Sequence, residues 1–149
     1  MRKYFILFIL FPIFLGCSTN SFTNNNPYLP NYPFTVDIDL NLPAFSNLLY
    51  VSNAVYYPNV GVRGIYVFNT GSGYNAFDAA CPNQTSSSCS TLTFKKLDPK
   101  DPLKIDYTNL ICPCSGEEYF LFTGQSPEKK YPLKQYRVEV NGNLLRVFN

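Results

Sequence analysis

The chain has 149 residues, with 12 lysines and arginines, 10 acidic residues and no histidine. Removal of a 16-residue leader that holds Arg2 and Lys3 leaves 12 − 2 = 10 cations against 10 acids, with no basic stripe to hold a phosphate backbone. Nucleic-acid binding is therefore excluded. The absence of histidine excludes catalysis by a serine–histidine or cysteine–histidine pair, and we do not expect an enzyme.

Residues 1–16 have the pattern of a signal peptide. Arg2 and Lys3 precede an apolar run of about a dozen residues, whereas a transmembrane helix needs about 20. The run ends in F-L-G-C, which resembles the bacterial lipobox, so we expect Cys17 to carry a lipid that holds the protein at a membrane; the alternative is an ordinary cleaved signal. No acidic cluster follows Cys17. By resemblance to lipoprotein sorting rules, this predicts an outer-membrane lipoprotein that faces the periplasm.

The remainder divides into a linker, 17–33, and one domain, 34–149. The linker is rich in Asn and Pro and buries too little apolar area to offset its ordering entropy, so we expect it to be flexible. The domain is rich in aromatic residues, with 12 Tyr and 13 Phe in the chain, and shows no sustained helical period. This composition predicts an all-β domain.

The pattern of alternating and apolar runs predicts most of the strands. A Gly-rich turn and an Asn-Gly pair each predict a hairpin. The apolar run 48–55 is expected to pair locally or to close a barrel, and 95–106 is expected to be a solvated connection with several lysines. The expected strands are 35–40, 62–69, 74–79, 91–94, 108–111, 119–122, 136–140 and 144–148.

Two Cys-Pro loops are the most specific motif: Cys81-Pro82-Asn83, and Cys112-Pro113-Cys114-Ser115 before an aromatic strand and a Thr-Gly turn. With the order of strands over roughly 36–147, these loops resemble the Rieske iron-sulfur domain. The resemblance implies a Rieske-like antiparallel β-sandwich or barrel, with both cysteine loops in a small subdomain of the cluster-binding type. In that family a C-x-H and a C-x-x-H loop hold a [2Fe-2S] cluster. Asn83 and Ser115 occupy the two histidine positions here.

An exported protein with four cysteines besides Cys17 is expected to form disulfides, and the sequence leaves three connectivities open. The Rieske resemblance selects among them: Cys89 and Cys114 match a bridge found in one branch of the family, although the spacing from Cys81 to Cys89 is longer here. Cys81 and Cys112 then match the thiolate-ligand positions. Thiolates on one metal lie about 3.7 Å apart, against about 2.05 Å in a disulfide, so an empty site is expected to close as a Cys81–Cys112 bridge.

These expectations lead to one main hypothesis and several alternatives. The main hypothesis is a membrane-anchored Rieske-fold module without cofactor, which binds an unknown periplasmic protein through 82–90 and 114–118. The alternatives are electron transfer by a [2Fe-2S] cluster with atypical ligands, a zinc ion on four thiolates, and a redox sensor that cycles its Cys81–Cys112 pair. No catalytic residue is expected, and Glu117-Glu118 is interpreted as a solvent-facing turn.

Overall fold

The computed structural model describes residues 25–149, so the predicted signal peptide, the predicted lipidation position Cys17 and linker residues 17–24 lie outside the described residues. Within that range the chain forms nine strands and one 3-10 helix, which confirms the all-β prediction. No helix within 25–149 is both long and apolar enough to cross a membrane. The elements are β1 Thr35–Asp39, the 3-10 helix Pro43–Leu49, β2 Ala54–Tyr57, β3 Ile65–Asn69, β4 Tyr74–Asp78, β5 Thr93–Lys96, β6 Ile105–Ile111, β7 Glu118–Phe120, β8 Gln135–Asn141 and β9 Leu144–Phe148.

The strands form two antiparallel sheets. One has six strands in the order β1-β9-β8-β4-β3-β2, and the other has three in the order β5-β6-β7. Strand β8 changes partner along its length: Gln135 and Tyr136 pair with β4, whereas 137–141 pair with β9. The six-stranded sheet can therefore curl around β8, so that its two halves enclose a core.

Strand β3 lies between two hydrophobic cores. Ile65 and Val67 belong to the core that is enclosed by the six-stranded sheet, whereas Tyr66 and Phe68 face a second core shared with the three-stranded sheet. Side chains alternate between the two faces of a strand, which explains why a continuously apolar segment is needed here. All five residues of β3 are buried. The second core also contains Cys81 and Cys112, so both cysteine loops start from the packed interior.

The structure differs from the predicted elements in several places. The predicted solvated connection 95–106 is strand at both ends, because β5 continues to Lys96 and β6 begins at Ile105. Two other differences have a clear local cause. Residues 43–49 form a 3-10 helix, with Pro43 in its first turn and Leu48 fully buried, so only the end of the apolar run 48–55 becomes a strand. Strand β3 begins at Ile65 rather than at residue 62. The cause is local, because Gly61 and Gly64 have positive φ and the Val62 N–H donates to Asp78 Oδ2 at 2.6 Å.

An N-terminal segment, 25–34, lies on the domain and is called the strap below. Leu29 is 4% exposed, and Asn26 Nδ2 donates to the carbonyl oxygen of Pro82 at 2.8 Å. Lys134 Nζ also donates to the carbonyl oxygen of Pro30. Residues 25–33 fall in the predicted linker, yet they contact the domain. Buried Leu29, an edge-on contact of the Tyr28 ring with Tyr131 and a few polar contacts hold them there. The prediction of a flexible linker used the average composition of 17–33, and an average does not reveal individual residues that contact the domain.

Candidate functional site

The two cysteine loops are joined by two disulfides. Cys81 bonds to Cys112 with a Cα–Cα distance of 5.7 Å, and Cys89 bonds to Cys114 at 5.2 Å, the same pairs that the resemblance implied. We call Cys81–Cys112 the inner disulfide, because its residues are only 2% and 1% exposed. Cys89–Cys114 is the outer disulfide, since Cys89 is exposed and Cys114 half-buried.

The first cysteine loop, 81–90, returns to the position at which it leaves the core. The N–H of Cys81 donates to the carbonyl oxygen of Ser90 at 2.8 Å, and Ala80 forms an isolated bridge with Thr91. Arg63 braces the loop from outside, because its guanidinium donates to Ser86 Oγ at 2.8 Å and to Thr91 Oγ1 at 3.1 Å. The eight-residue spacing from Cys81 to Cys89 thus forms an ordered loop.

The second cysteine loop, 112–117, is a tight turn between β6 and β7. The N–H of Gly116 donates to the carbonyl oxygen of Cys112 at 2.8 Å, and the N–H of Cys112 donates to the carbonyl oxygen of Glu117 at 2.9 Å. Gly116 has a φ of +79°, a region that favours glycine. This turn places Cys112 and Cys114 to bond to different partners on the first loop.

Asn83, at the first histidine position of the resemblance, joins the first loop to a third loop, 124–134. Its Nδ2 donates to Tyr119 Oη at 2.9 Å and to the Tyr131 carbonyl oxygen at 2.7 Å. Its Oδ1 accepts from the Tyr131 N–H at 3.0 Å. Tyr119 is fully buried, and burial raises the pKa of its hydroxyl, which therefore stays protonated. The Asn83 amide is thus committed to contacts within the protein.

Ser115, at the second histidine position, donates to Glu117 Oε2. Glu117 Oε1 also accepts from Lys129 Nζ of the third loop at 2.7 Å, and the Glu117 side chain is only 9% exposed. The prediction of a solvent-facing turn at Glu117-Glu118 is therefore wrong for Glu117, because an ion pair across the loops covers its carboxylate. Glu118, 38% exposed, pairs with Lys95 Nζ at 2.7 Å.

Sequence reasoning missed a buried polar cluster at the end of β4. Asp78 is fully buried and accepts from Tyr136 Oη at 2.6 Å, from Val62 N and from Ala80 N. Burial raises the pKa of Asp78 and lowers that of Lys134, which is 2% exposed and lies under the strap. The available signal was a lone acid inside the apolar run A-F-D-A-A. The contacts of Asp78 are structural, since they connect β4, β8 and the turn before β3.

A small cleft of about 210 Å³ lies beside the second cysteine loop. Phe120 at its wall is 43% exposed, whereas its neighbours Tyr119 and Leu121 are buried, so the Phe120 ring faces outward from β7. Glu118 and Glu128 add acidic groups to the same wall. The cleft is therefore a mixed apolar and acidic surface beside the cysteine loops.

The residues at the four ligand positions do not fit a [2Fe-2S] cluster in this arrangement. The sulfurs of Cys81 and Cys112 are bonded to each other, and Asn83 is fully engaged by Tyr119 and Tyr131. Neither Asn83 nor Ser115 supplies an imidazole. Across 25–149, no group of three or more His, Cys, Asp or Glu side chains has the arrangement of a metal site.

Comparison with known proteins identifies the fold. No protein-family model matches the sequence, and no curated protein matches it. Among solved structures, the cyanobacterial plasma membrane Rieske protein from Synechocystis PCC 6803 is similar to this chain with a TM-score of 0.50 and 21% identity, over 75% of this chain and 97% of that one.

Two further similar structures come from carbazole 1,9a-dioxygenase systems. A chain of the complex of reduced oxygenase and oxidized ferredoxin gives a TM-score of 0.48 and 19% identity, over 76% of this chain and 92% of that one. The ferredoxin from Nocardioides aromaticivorans IC177 gives 0.45 and 17%, over 78% and 97%. At 21% identity, the similarity to the Synechocystis structure shows the fold alone: the chain has a Rieske-like fold, as predicted.

Proposed function

We propose that this chain is a Rieske-fold module of the bacterial cell envelope that works without an iron-sulfur cluster and binds a partner protein through its cysteine-loop end. The observation that carries the proposal is the inner disulfide. It bonds together the two sulfurs that the Rieske plan assigns to one iron. Asn83 supports the same conclusion, because its amide holds the loops together where an imidazole would face a metal.

The loop end has the rigidity that a binding surface requires. Two disulfides join the first and second loops, Asn83 joins the first to the third, and the Glu117–Lys129 ion pair joins the second to the third. Loops fixed in this way lose little conformational entropy on binding, and loops on a rigid scaffold commonly carry recognition. The partially exposed Phe120 supplies an apolar contact within the mixed cleft.

The location rests on the sequence. The signal-peptide pattern of residues 1–16 and the lipobox-like F-L-G-C support a location in the envelope, with attachment through a lipid on Cys17. Two disulfides fit an oxidising compartment of that kind. The partner is accordingly a protein exposed to the periplasm.

The competing function is electron transfer by a cluster with atypical ligands. The Rieske-like fold and the gathering of four cysteines at one end favour it. The two functions differ in a direct measurement, since a cluster protein is coloured and holds iron.

The test measures iron, acid-labile sulfide and free thiols on the full chain, extracted from membranes in detergent and purified without chelators. A parallel sample is reconstituted anaerobically with iron and sulfide. We expect no iron, no visible absorption band and no free thiol among the four loop cysteines. Two irons and two sulfides per chain in either sample would overturn the proposal, and C81S/C112S serves as the control that must lack any such band.

The binding surface is tested by a pair of substitutions with similar exposure. Phe120→Ser changes the mixed cleft, whereas Val140→Ser changes a side chain of the terminal hairpin, which is 52% exposed against 43% for Phe120. The wild type and each variant are crosslinked in cells, and the amounts of each crosslinked partner protein are compared among the three. We expect Phe120→Ser to reduce one specific crosslink at least fivefold and Val140→Ser to leave it unchanged; equal effects would place the surface elsewhere.

A further inference from the structure

We propose that the outer disulfide is a thiol-exchange site, which a protein dithiol of the Cys-x-x-Cys class opens by attack on Cys89. The inner disulfide stays closed during this exchange. The two bridges share the segment Cys112-Pro113-Cys114 and close loops of similar length, with sequence separations of 31 and 25. Their surroundings, however, differ in access, in the groups near the leaving sulfur and in how the loop is held.

The first difference is access. Thiol–disulfide exchange requires a thiolate to approach one sulfur along the S–S axis, so the rate depends on how open that sulfur is to the attacking protein. Cys89 is exposed on the first cysteine loop, and its neighbours Ser86, Ser87 and Ser88 are small and exposed. Cys81 and Cys112 are packed in the core between the sheets. A protein reagent can reach the outer bridge and not the inner one.

The second difference is the environment of the leaving sulfur. Ser87 Oγ lies 3.4 Å from both Cys89 Sγ and Cys114 Sγ, and Ser90 Oγ lies 3.9 Å from Cys114 Sγ. The Ser90 hydroxyl donates to the Thr85 carbonyl oxygen at 3.3 Å, so Ser87 is the nearer free donor. When Cys114 departs as a thiolate, the Ser87 hydroxyl can donate its proton to the negative charge. A thiol whose thiolate is stabilised has a lower pKa and leaves faster.

The third difference is that the first loop does not depend on the outer bridge for its shape. Ser90, 1% exposed, accepts from Ser87 N and from Gln84 Nε2, each at 2.8 Å. Arg63 ties the same loop to the body of the domain through Ser86 Oγ. Opening the outer disulfide therefore leaves a folded loop, and exchange does not have to wait for global unfolding.

The exchange is balanced as two substitutions at sulfur. A thiolate of the dithiol protein bonds to Cys89 Sγ, the Cys89–Cys114 bond breaks, and its electron pair remains on Cys114 as a thiolate. The second thiol of the reductant then attacks its own sulfur in the mixed disulfide and releases Cys89. This protein ends with two thiols, and the reductant ends oxidised with an internal disulfide.

The first test traps the mixed disulfide. The full chain in detergent is mixed with a thioredoxin-type dithiol protein whose second cysteine is replaced by serine, so that the exchange stops after one step. We expect one covalent adduct, which peptide mass spectrometry places at Cys89. An adduct at Cys81 or Cys112, or no adduct under conditions that label an exposed control disulfide, would overturn the proposal.

The second test measures the leaving group. The intact dithiol protein is added, and alkylation under native conditions counts the thiols that appear. We expect two thiols per chain, at Cys89 and Cys114, with two more only after denaturation. Ser87→Ala should slow their appearance by about threefold or more, because it removes a hydroxyl from the thiolate. The matched variant Ser88→Ala, exposed in the same loop, should change the rate by less than about twofold.

Simultaneous opening of both bridges would overturn the proposal that the outer disulfide is the exchange site. Equal rates for Ser87→Ala and Ser88→Ala would refute the leaving-group assignment. This site does not rest on the proposed binding function. Iron and sulfide content decide whether a cluster is present, whereas the trapped adduct and the thiol count decide whether the outer disulfide exchanges.

Discussion

Replacement of Asn83 by alanine should destabilise the protein by about 3 kcal/mol. The variant loses three hydrogen bonds, two to Tyr131 and one to Tyr119, each with a net contribution of about 1 kcal/mol. One of the three is the hydrogen bond to the buried Tyr119 hydroxyl, which loses this partner in the variant. For a domain of this size, about 3 kcal/mol corresponds to a decrease in Tm of about 10 °C. Urea unfolding with both disulfides intact measures it.

Two companion variants separate these hydrogen bonds from a general packing effect. In Asn83→Asp the carboxylate still accepts from the Tyr131 N–H but faces the Tyr131 carbonyl oxygen, so it should be as unstable as Asn83→Ala near neutral pH. Protonation gives the aspartic acid a donor for that oxygen. The stability of Asn83→Asp relative to Asn83→Ala should therefore increase as the pH falls.

The effect of Asn83→Ala should also depend on Tyr119. In a double-mutant cycle with Tyr119→Phe, the coupling energy should be about 0.5–1.5 kcal/mol, the net contribution of the one hydrogen bond that the two side chains share. If Asn83→Ala lowered the free energy of unfolding by less than about 0.5 kcal/mol, the amide would not connect the loops, and our account of the first histidine position would be lost.

Three further predictions concern the supporting structure. Gly61→Ala should cost at least about 2 kcal/mol more than Gly142→Ala in urea unfolding, because both glycines have φ near +60°, but only at Gly61 would a Cβ lie 2.5 Å from an Asp78 oxygen. Equal costs would contradict this. Replacing both cysteines of the inner disulfide by alanine should lower Tm more than the same change in the outer one, since the closed loops are similar in length and only the inner pair is packed in the core; the reverse order would contradict the assignment. Burial raises the pKa of Asp78 above 3.8, so between 3.8 and the folded pKa the folded state binds more protons than the unfolded state. The difference between the unfolding free energies of the wild type and of Asp78→Asn should therefore decrease as the pH rises through this range. An increase with pH would contradict this.

The strands with strong patterns could be predicted from the sequence. The Asn-Gly pair at 141–142 sets the last hairpin, and Gly142 has the expected positive φ of 61°. The run 48–55 could not be assigned in the same way, because a short apolar run does not distinguish a strand from a helical turn. Burial of Leu48 against β3 and β4 decides the matter, and that contact is tertiary.

The candidate site was predictable only as far as its cysteines. The resemblance to the Rieske plan implied both pairings, and the structure has both. It did not indicate that Asn83 reaches Tyr131, 48 positions away, or that Glu117 pairs with Lys129. Such contacts depend on where the third loop folds back, and the sequence carries no periodic signal for that.

The strap determines where a membrane anchor would pull on the domain. Asn26 donates a hydrogen bond to the carbonyl oxygen of Pro82 in the first cysteine loop, so the chain enters the domain at the loop end. From Cys17 to Asn26 there are 26 − 17 = 9 peptide steps, which span at most about 32 Å at full extension. A lipid on Cys17 would therefore keep the point at which the chain reaches the cysteine loops within about 32 Å of the bilayer. A partner would have to meet them close to the membrane surface, so proteins embedded in or attached to the same membrane have the shortest path to this end of the molecule.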